Sequence, residues 1–543
     1  MFAHILVVMI VAIAITALAE RQQMQPALLV AIVGLLASFI PGVPRLELEP
    51  EIILGIVLPP MLFSAASDFS FTSFARRLGS IVNLGVFMVF AVAAVVAVVA
   101  TLAVPGLTLP AALVLGAVVA PPDAVAAITI GRKSGLPIGL MTVLKGESLI
   151  NDAAALTLFA VAVAATAGTH AFIDNTLLYF LYAIVVGAIL GTLIGNLAQV
   201  ARRRLTNPSL ATVISVIVPF AAYLIAEELH ASGVLAVVAA GFALGHHAAE
   251  SGYEERLQER QFWRTIDTLL ETFVFAYIGL QLRFVITDAA EAGYDLWSLA
   301  GAAAAVFLAI VLVRFVWVFA TAAFGRWRYD RILKHPHNTK RRNNRPQLPP
   351  PLRWRENLVL SWTGMRGVVT LAAAAGVPVV TATGADFPGR EAIVAIAFMV
   401  TIATLLIQGL TLPVLIGYLK LTDARGERFA AEQHALATSI AEAATSRALV
   451  SYRANHDSPA SRRLVDIMAK RSLRNSQDTG AAEQLDRSEA LALSNVLLEA
   501  RRKSLIAARD SHQLDDATLR EMLEQMDLEE AFMVGMGKGT VGP

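Results

Sequence analysis

The chain has 543 residues, of which 56% are hydrophobic and only 16% charged, and it contains no cysteine. A soluble fold of that composition would expose apolar patches larger than ordinary monomers carry, so the chain reads as a polytopic membrane protein. The missing thiols exclude disulfides, thiol catalysis and thiolate metal or iron–sulfur sites, while a net charge of +1 averages an acidic and a basic face and identifies no partner.

In chain order, windows able to cross ~30 Å of hydrocarbon fall near 2–20, 26–40, 51–67, 78–104, 109–131, 139–166, 176–200, 208–226, 232–247, 263–282, 296–323, 355–380 and 390–418, about thirteen spans. The first window ends in Ala17-Leu18-Ala19, a pattern that signal peptidases cut, but no Lys or Arg precedes it, so it is read as a retained span. Alternate loops hold Arg21; Arg76 and Arg77; Arg132 and Lys133; Arg202, Arg203 and Arg204; Arg256, Arg260 and Arg264; and the basic stretch Arg326–Arg355. The intervening loops hold Glu47 and Glu49, Asp174, Glu227 and Glu228, then Asp288, Glu291 and Asp295, with Arg45, Arg283 and Arg390 as basic exceptions. Because positive loops stay inside, the N-terminus is expected outside and the C-terminus in the cytoplasm of a cell that carries the chain in its plasma membrane.

Two spans are interrupted. The fifth reads Ala120-Pro121-Pro122-Asp123, and tandem prolines in a span interior remove backbone hydrogen bonds and unwind it. The twelfth reads Thr363-Gly364-Met365-Arg366-Gly367, two glycines around a buried arginine. If spans 1–6 and 8–13 are inverted six-helix repeats, these are the matching helices, expected to cross near the midplane, where broken helices mark transport sites.

The sixth span carries Lys145-Gly146-Glu147-Ser148-Leu149-Ile150-Asn151-Asp152. At ~100° per residue, Lys145, Glu147, Ser148, Asn151 and Asp152 share one side of the helix. A charge at mid-bilayer costs roughly 2.5–3.5 kcal/mol, so such groups face a bundle interior or a water-filled cavity. The alternative is a buried structural network in a transporter whose site lies elsewhere. The stretch from Lys334-His335-Pro336-His337 to Pro349-Pro350-Pro351 reads as a cytoplasmic linker whose charge topology explains, without nucleic acid. Beyond Thr422, Gly426–Asp457 and Ala481–Phe532 have helical apolar spacing around a looser, more polar Asp457–Gly480, giving a cytoplasmic helical tail over 421–543 after a membrane domain over 1–420. No Walker loop, nucleophile elbow or zinc signature occurs, and the pairs His246-His247 and His335/His337 lack carboxylates at ligand spacing, so neither an enzyme nor a cofactor is expected.

With Gly146-Glu147-Ser148-Leu149-Ile150-Asn151-Asp152, Asp123-Ala124-Val125-Ala126, Glu271-Thr272-Phe273-Val274-Phe275 followed by Gly279, and Gly364-Met365-Arg366-Gly367, the chain resembles the monovalent cation:proton antiporter-1 family over roughly residues 1 to 420. The resemblance implies that Asp152 binds cation or proton with Asn151 beside it, that Ser148 and the main-chain carbonyls around Ala120 and Pro121 help coordinate Na+, and that Glu147 pairs with Arg366. It also implies a homodimer. Many relatives have Asp-Pro where this chain has Asp123-Ala124, with the prolines placed before the Asp instead. For Lys145, a salt bridge to Asp152 and snorkelling to the cytoplasmic surface are both open; Asp123 either lines a cytoplasmic funnel or balances the broken helix ends; Glu271 makes either a structural hydrogen bond or an ion contact.

The expected function is secondary exchange of Na+, Li+ or K+ for protons through one carboxylate, in which cation and proton compete for the same oxygens. A pH-gated cation channel of the same fold is the alternative. An organic-solute symporter would want more polar or aromatic groups in the fifth and twelfth spans.

Overall fold

The computed structural model describes residues 2–22, 24–41, 53–123, 127–129, 131, 135–168, 175–334, 351–421, 424–455, 487–511 and 513–538. Arg45, Glu47, Glu49, Ala124 to Ala126, Arg132, Lys133, Asp174, His335, His337 and the stretch 457–480 lie outside them. The chain is all-helical, and the only β feature among the described residues is an isolated bridge between Val380 and Asp386.

The helices are α1 (Phe2–Arg21), α2 (Pro26–Ser38), α3 (Leu58–Ser67), α4 (Phe71–Val82), α5 (Met88–Ala103), α6 (Leu109–Val119), α7 (Ile138–Ala167), α8 (Thr176–Arg202) and α9 (Pro208–Glu228). They continue as α10 (Gly233–His247), α11 (Tyr253–Glu291), α12 (Leu296–Lys334), α13 (Trp354–Trp362), α14 (Val368–Ala375), α15 (Arg390–Leu419), α16 (Ala424–Asn455), α17 (Arg487–Asp510) and α18 (Asp516–Lys538).

Among the described residues, nine segments are long and apolar enough to cross a membrane: α1, α4 with α5, α7 to α12, and α15. The remaining four expected windows hold shorter helices. Two of these, α2 and α3, are short throughout; the other two are cut where the sequence places Pro121-Pro122 and Gly364/Gly367. Helix α6 stops at Val119 because neither proline that follows can donate to a preceding carbonyl. The twelfth window splits into α13 and α14 around the extended Gly367, at φ −144° and ψ −139°. Helix ends elsewhere follow local chemistry: Gly168 closes α7 in the left-handed region at φ 72°, and the Asn175 side chain caps α8 by accepting from the Leu177 and Leu178 amides.

The chain packs as two compact units, one of Met1–His246 with Gln261–Asp423, the other of His247–Arg260 with Ala424–Pro543. In the first, α7 is shared between two apolar cores. Leu144, Ala154, Ala155 and Leu158 pack into a core with α5, α6, α12 and α15, whereas Leu149 and Ala153 pack into one with α3, α9 and α10. Held on both sides, the middle of α7 buries Glu147, Asn151 and Asp152. In the second unit, Ala249 joins Ala437, Leu498, Leu505, Leu519 and Leu523 in a small core. There the buried Asp527 accepts from Arg256 Nε at 2.8 Å and from Arg502 at 3.2 Å.

Candidate functional site

Asn151 anchors the site to the break after α6. Its Nδ2 donates to the Pro122 carbonyl at 2.6 Å, an oxygen that can only accept, so the amide orientation is fixed. That leaves Asn151 Oδ1 turned away from Pro122, buried and without a hydrogen-bond partner. One position on, Asp152 is only 7% exposed. Among the described residues no hydrogen bond or ion pair reaches its carboxylate, and the charged group it faces is Asp123. A buried polar atom such as Asn151 Oδ1 is rarely left this way, and the acid beside it makes no hydrogen bond among the described residues, so the place needs an explanation. Ser148, one turn earlier on the same side as Asp152, is half-buried.

The two interruptions touch. The Asp123 amide donates to the Met365 carbonyl at 2.6 Å, and Arg366, from the opposite break, donates through Nε to the Val119 carbonyl at 2.8 Å. Its guanidinium also reaches Ala120 O at 3.4 Å and bonds to Gly364 O, while its amide donates to Thr404 Oγ1 on α15 at 3.0 Å. Unwound carbonyls at the C-terminal end of α6 carry the negative end of the helix dipole, and the guanidinium neutralises them. On the other side, a Cβ at Gly367 would fall inside the Asp123 carboxylate, so that close approach requires a glycine. It puts Asp123 at the positive N-terminal end of α14.

The expected Glu147–Arg366 pair is not the one that forms. Glu147 is 2% exposed, and its two carboxylate oxygens are held by Arg314 of α12, at 2.5 and 3.0 Å. Arg314 also donates Nε to the Leu360 carbonyl, in the last turn of α13, at 3.0 Å. The physical reason is a division of labour between two buried arginines. Arg366 is consumed by backbone carbonyls at the α6 end, and Arg314 serves both the carboxylate and the α13 end. Ala120 departs from expectation for the same cause, since its carbonyl faces Arg366, and a cation already at that oxygen opposes a second.

Lys145 Nζ sits 3.9 Å from Asp68 Oδ2 and 6.0 Å from the Phe69 ring centroid. Glu271, on α11, lies within electrostatic reach of Asp123 and of Asp267 one turn before it. Asp267 escaped the sequence reading. It accepts from Ser64 Oγ at 2.5 Å through one oxygen while its other oxygen is buried without a partner. Its spacing of four from Glu271 was the available signal, masked by the basic residues that precede it. Among the described residues no three His, Asp or Glu side chains converge as a metal cage.

Comparison with known proteins identifies the family and the fold. Residues 6–417 match the family described as sodium/hydrogen exchanger, transmembrane. An uncharacterized Na+/H+ exchanger of Mycobacterium tuberculosis is 32% identical over 98% of this chain and 96% of its own length. The Na+/H+ antiporter ApNhaP of Aphanothece halophytica is 31% identical over 75% of this chain and 72% of its own. The fold is shared with the sodium proton antiporter MjNhaP1 of Methanocaldococcus jannaschii, with a TM-score of 0.59 at 16% identity over 77% of this chain and 98% of that one. The chain belongs to the sodium/hydrogen exchanger family.

Proposed function

We propose that this protein is a secondary antiporter that exchanges Na+, Li+ or K+ for protons by loading one carboxylate, Asp152, alternately with cation and proton. The observation that carries the reading is the orphaned Asn151 Oδ1 next to the buried Asp152 carboxylate, which makes no ion pair among the described residues, where two broken helices meet. A partly dehydrated alkali cation needs hard oxygen donors, and those two side chains, the Ser148 hydroxyl and the Pro121 carbonyl would supply them. A proton on Asp152 removes the charge that holds the cation, so each substrate displaces the other. With neither bound, the site carries an uncompensated anion in a dry interior at a cost of several kcal/mol, which suppresses crossing of the unloaded form. That penalty couples the two fluxes.

Under this scheme Glu147 with Arg314 is a neutral pair, and Arg366 is a cation held by the carbonyls at the α6 end. They hold the breaks open, and Arg366 keeps the transported cation off the Ala120 carbonyl. Residues 1–420 act as the transport domain, built of thirteen crossings in two inverted repeats, and 421–543 as a cytoplasmic tail; the basic loops put the N-terminus outside and the C-terminus in the cytoplasm of a plasma-membrane protein. A homodimer completes the assembly by likeness to the family.

The test is a pH-sensitive dye in sealed proteoliposomes at clamped membrane potential. An imposed Na+ gradient should drive the internal pH, with K+ and Li+ tried in turn. Cation flux with no proton counter-flux would replace the antiporter with a channel of the same fold.

A further inference from the structure

Helix α12 is a single run from Leu296 to Lys334, longer than hydrocarbon alone requires. Trp297 near its start is 87% exposed and Trp327 near its end 55% exposed. Thirty steps of 1.5 Å separate them by about 45 Å along the axis, the thickness of a bilayer including its headgroup layers. Exposed tryptophans at that spacing mark the two interfaces.

At the Trp327 end the surface is built of arginines on aromatic faces. Arg331 stacks over Trp327 at 5.2 Å, and Arg355 over Trp354 at 5.4 Å, with Trp354 itself 53% exposed at the start of α13. Arg326 draws the two helices together by donating to the Leu352 carbonyl at 3.1 Å. Arg355 donates to Leu419 O, at the end of α15, at 3.0 Å. Each of these two contacts uses one of the five N–H donors of a guanidinium, and both arginines are exposed. The acids near these arginines are Asp330 and Glu356, the latter accepting from the Arg353 amide at 2.8 Å.

We propose that this surface binds the headgroup of an anionic phospholipid, with the guanidinium groups of Arg326, Arg331 and Arg355 on the phosphate and Trp327 and Trp354 at the acyl boundary. Charge complementarity and depth select the occupant. The cluster lies in the headgroup layer, arginine forks match phosphate oxygens, and stacking on indole fixes the forks before the ligand arrives. The cytoplasmic leaflet is assigned by the orientation proposed above; the site itself does not depend on the exchange reaction. A bound lipid would tie the end of α12, which carries Arg314, to the start of α13, whose last turn Arg314 also holds.

The test uses the full chain in detergent, with no transport readout, so its outcome is independent of the antiport assignment. Phosphatidylglycerol, phosphatidylcholine and inorganic phosphate are titrated in turn while thermal unfolding and bound lipid by native mass spectrometry are recorded. Phosphatidylglycerol should bind and raise Tm where the other two do not. Arg326→Gln with Arg331→Gln should weaken its binding roughly thirtyfold, from about 1 kcal/mol per basic residue near the surface. The matched pair Arg203→Gln with Arg204→Gln, at the end of α8, should leave binding unchanged. Equal loss in both pairs would reduce the effect to net charge and overturn the site; an equal Tm rise with inorganic phosphate would make it a small-anion site; no preference for phosphatidylglycerol over phosphatidylcholine would dismiss it.

Discussion

Arg314 holds both carboxylate oxygens of Glu147 across 167 residues of chain, with both side chains only 2% exposed. A buried pair of this kind contributes less by its own attraction than by the penalty incurred when one member is lost. Arg314→Gln should therefore destabilise the membrane domain by about 3–5 kcal/mol, since Glu147 is left buried and charged. Glu147→Gln in the same background should return part of that loss. Thermal unfolding of the two single variants and the double variant gives the coupling, and the same cycle run on Glu147 and Arg366 should show far less. Strong coupling of Glu147 to Arg366 and none to Arg314 would contradict the arrangement described here.

Asp152→Asn should abolish exchange while the protein still inserts and keeps its thermal stability, because the isosteric amide cannot take up a proton or balance a cation. Asp152→Glu should retain partial exchange with weakened cation affinity, its carboxylate displaced by one methylene. Dye-reported exchange by the Asn variant at the wild-type rate would remove Asp152 from the site.

The ionisable patch on α7 was legible in the sequence because Glu147, Asn151 and Asp152 interrupt an otherwise apolar window, and both helix breaks were legible because proline and glycine act locally. The partners were not. A backbone carbonyl leaves no trace in residue identity, so nothing in the sequence indicated that Val119, Ala120 and Gly364 satisfy Arg366. Arg314 is a lone charge in a long apolar helix with several acids as possible partners, and only the packing of α12 against α5, α13 and α15, which brings its guanidinium to α7, chooses Glu147. Asp267 was hidden by its neighbours Arg256, Arg260 and Arg264, which made the start of α11 read as loop charge. The grouping of His247–Arg260 with the helices after Ala424 depends on contacts such as Arg256 with Asp527, 271 residues apart, which no local pattern encodes.

Gly367→Ala tests the contact between the two breaks. The added methyl would overlap the Asp123 carboxylate, and neither neighbour can retreat freely, since the Asp123 amide is bonded to Met365 O and the Arg366 amide to Thr404. Overpacking of this kind costs typically 1–3 kcal/mol. Exchange should fall at least tenfold with the fold retained, because Pro122, which positions Asn151, moves with Asp123. A variant as active as the parent would show that the crossing tolerates displacement and does not set the site's geometry.

Asn151→Ala removes both the link to Pro122 and the free Oδ1 acceptor. Losing one neutral oxygen from a dehydrated cation should raise the KM for Na+ about tenfold or more, in line with roughly 1–3 kcal/mol for an unmade bond in a buried site. Proton binding at Asp152 needs no such ligand, so the effect should lie in cation KM rather than in the maximal rate measured at saturating Na+. Equal loss in both would mean that Asn151 serves only to pin the α6 break.

In the second unit, Asp527 is fully buried and accepts from Arg256 and Arg502, while Arg502 also donates to Glu530 at 2.9 Å. Two guanidinium groups thus share one carboxylate. Asp527→Asn keeps the shape and removes the charge, leaving two arginines close together with only Glu530 to offset them. A cost of about 3–5 kcal/mol follows if the unit stays closed, which exceeds what a three-helix core of this size can readily absorb. Trypsin should therefore cut α17 and α18 of the variant well before it cuts the wild type, with the membrane domain recovered intact. Glu530→Gln, which leaves Asp527 between its two arginines, should change the digestion only slightly. Identical digestion of the wild type and Asp527→Asn would mean that the apolar core around Leu498, Leu505 and Leu519 holds the unit together without the ion network.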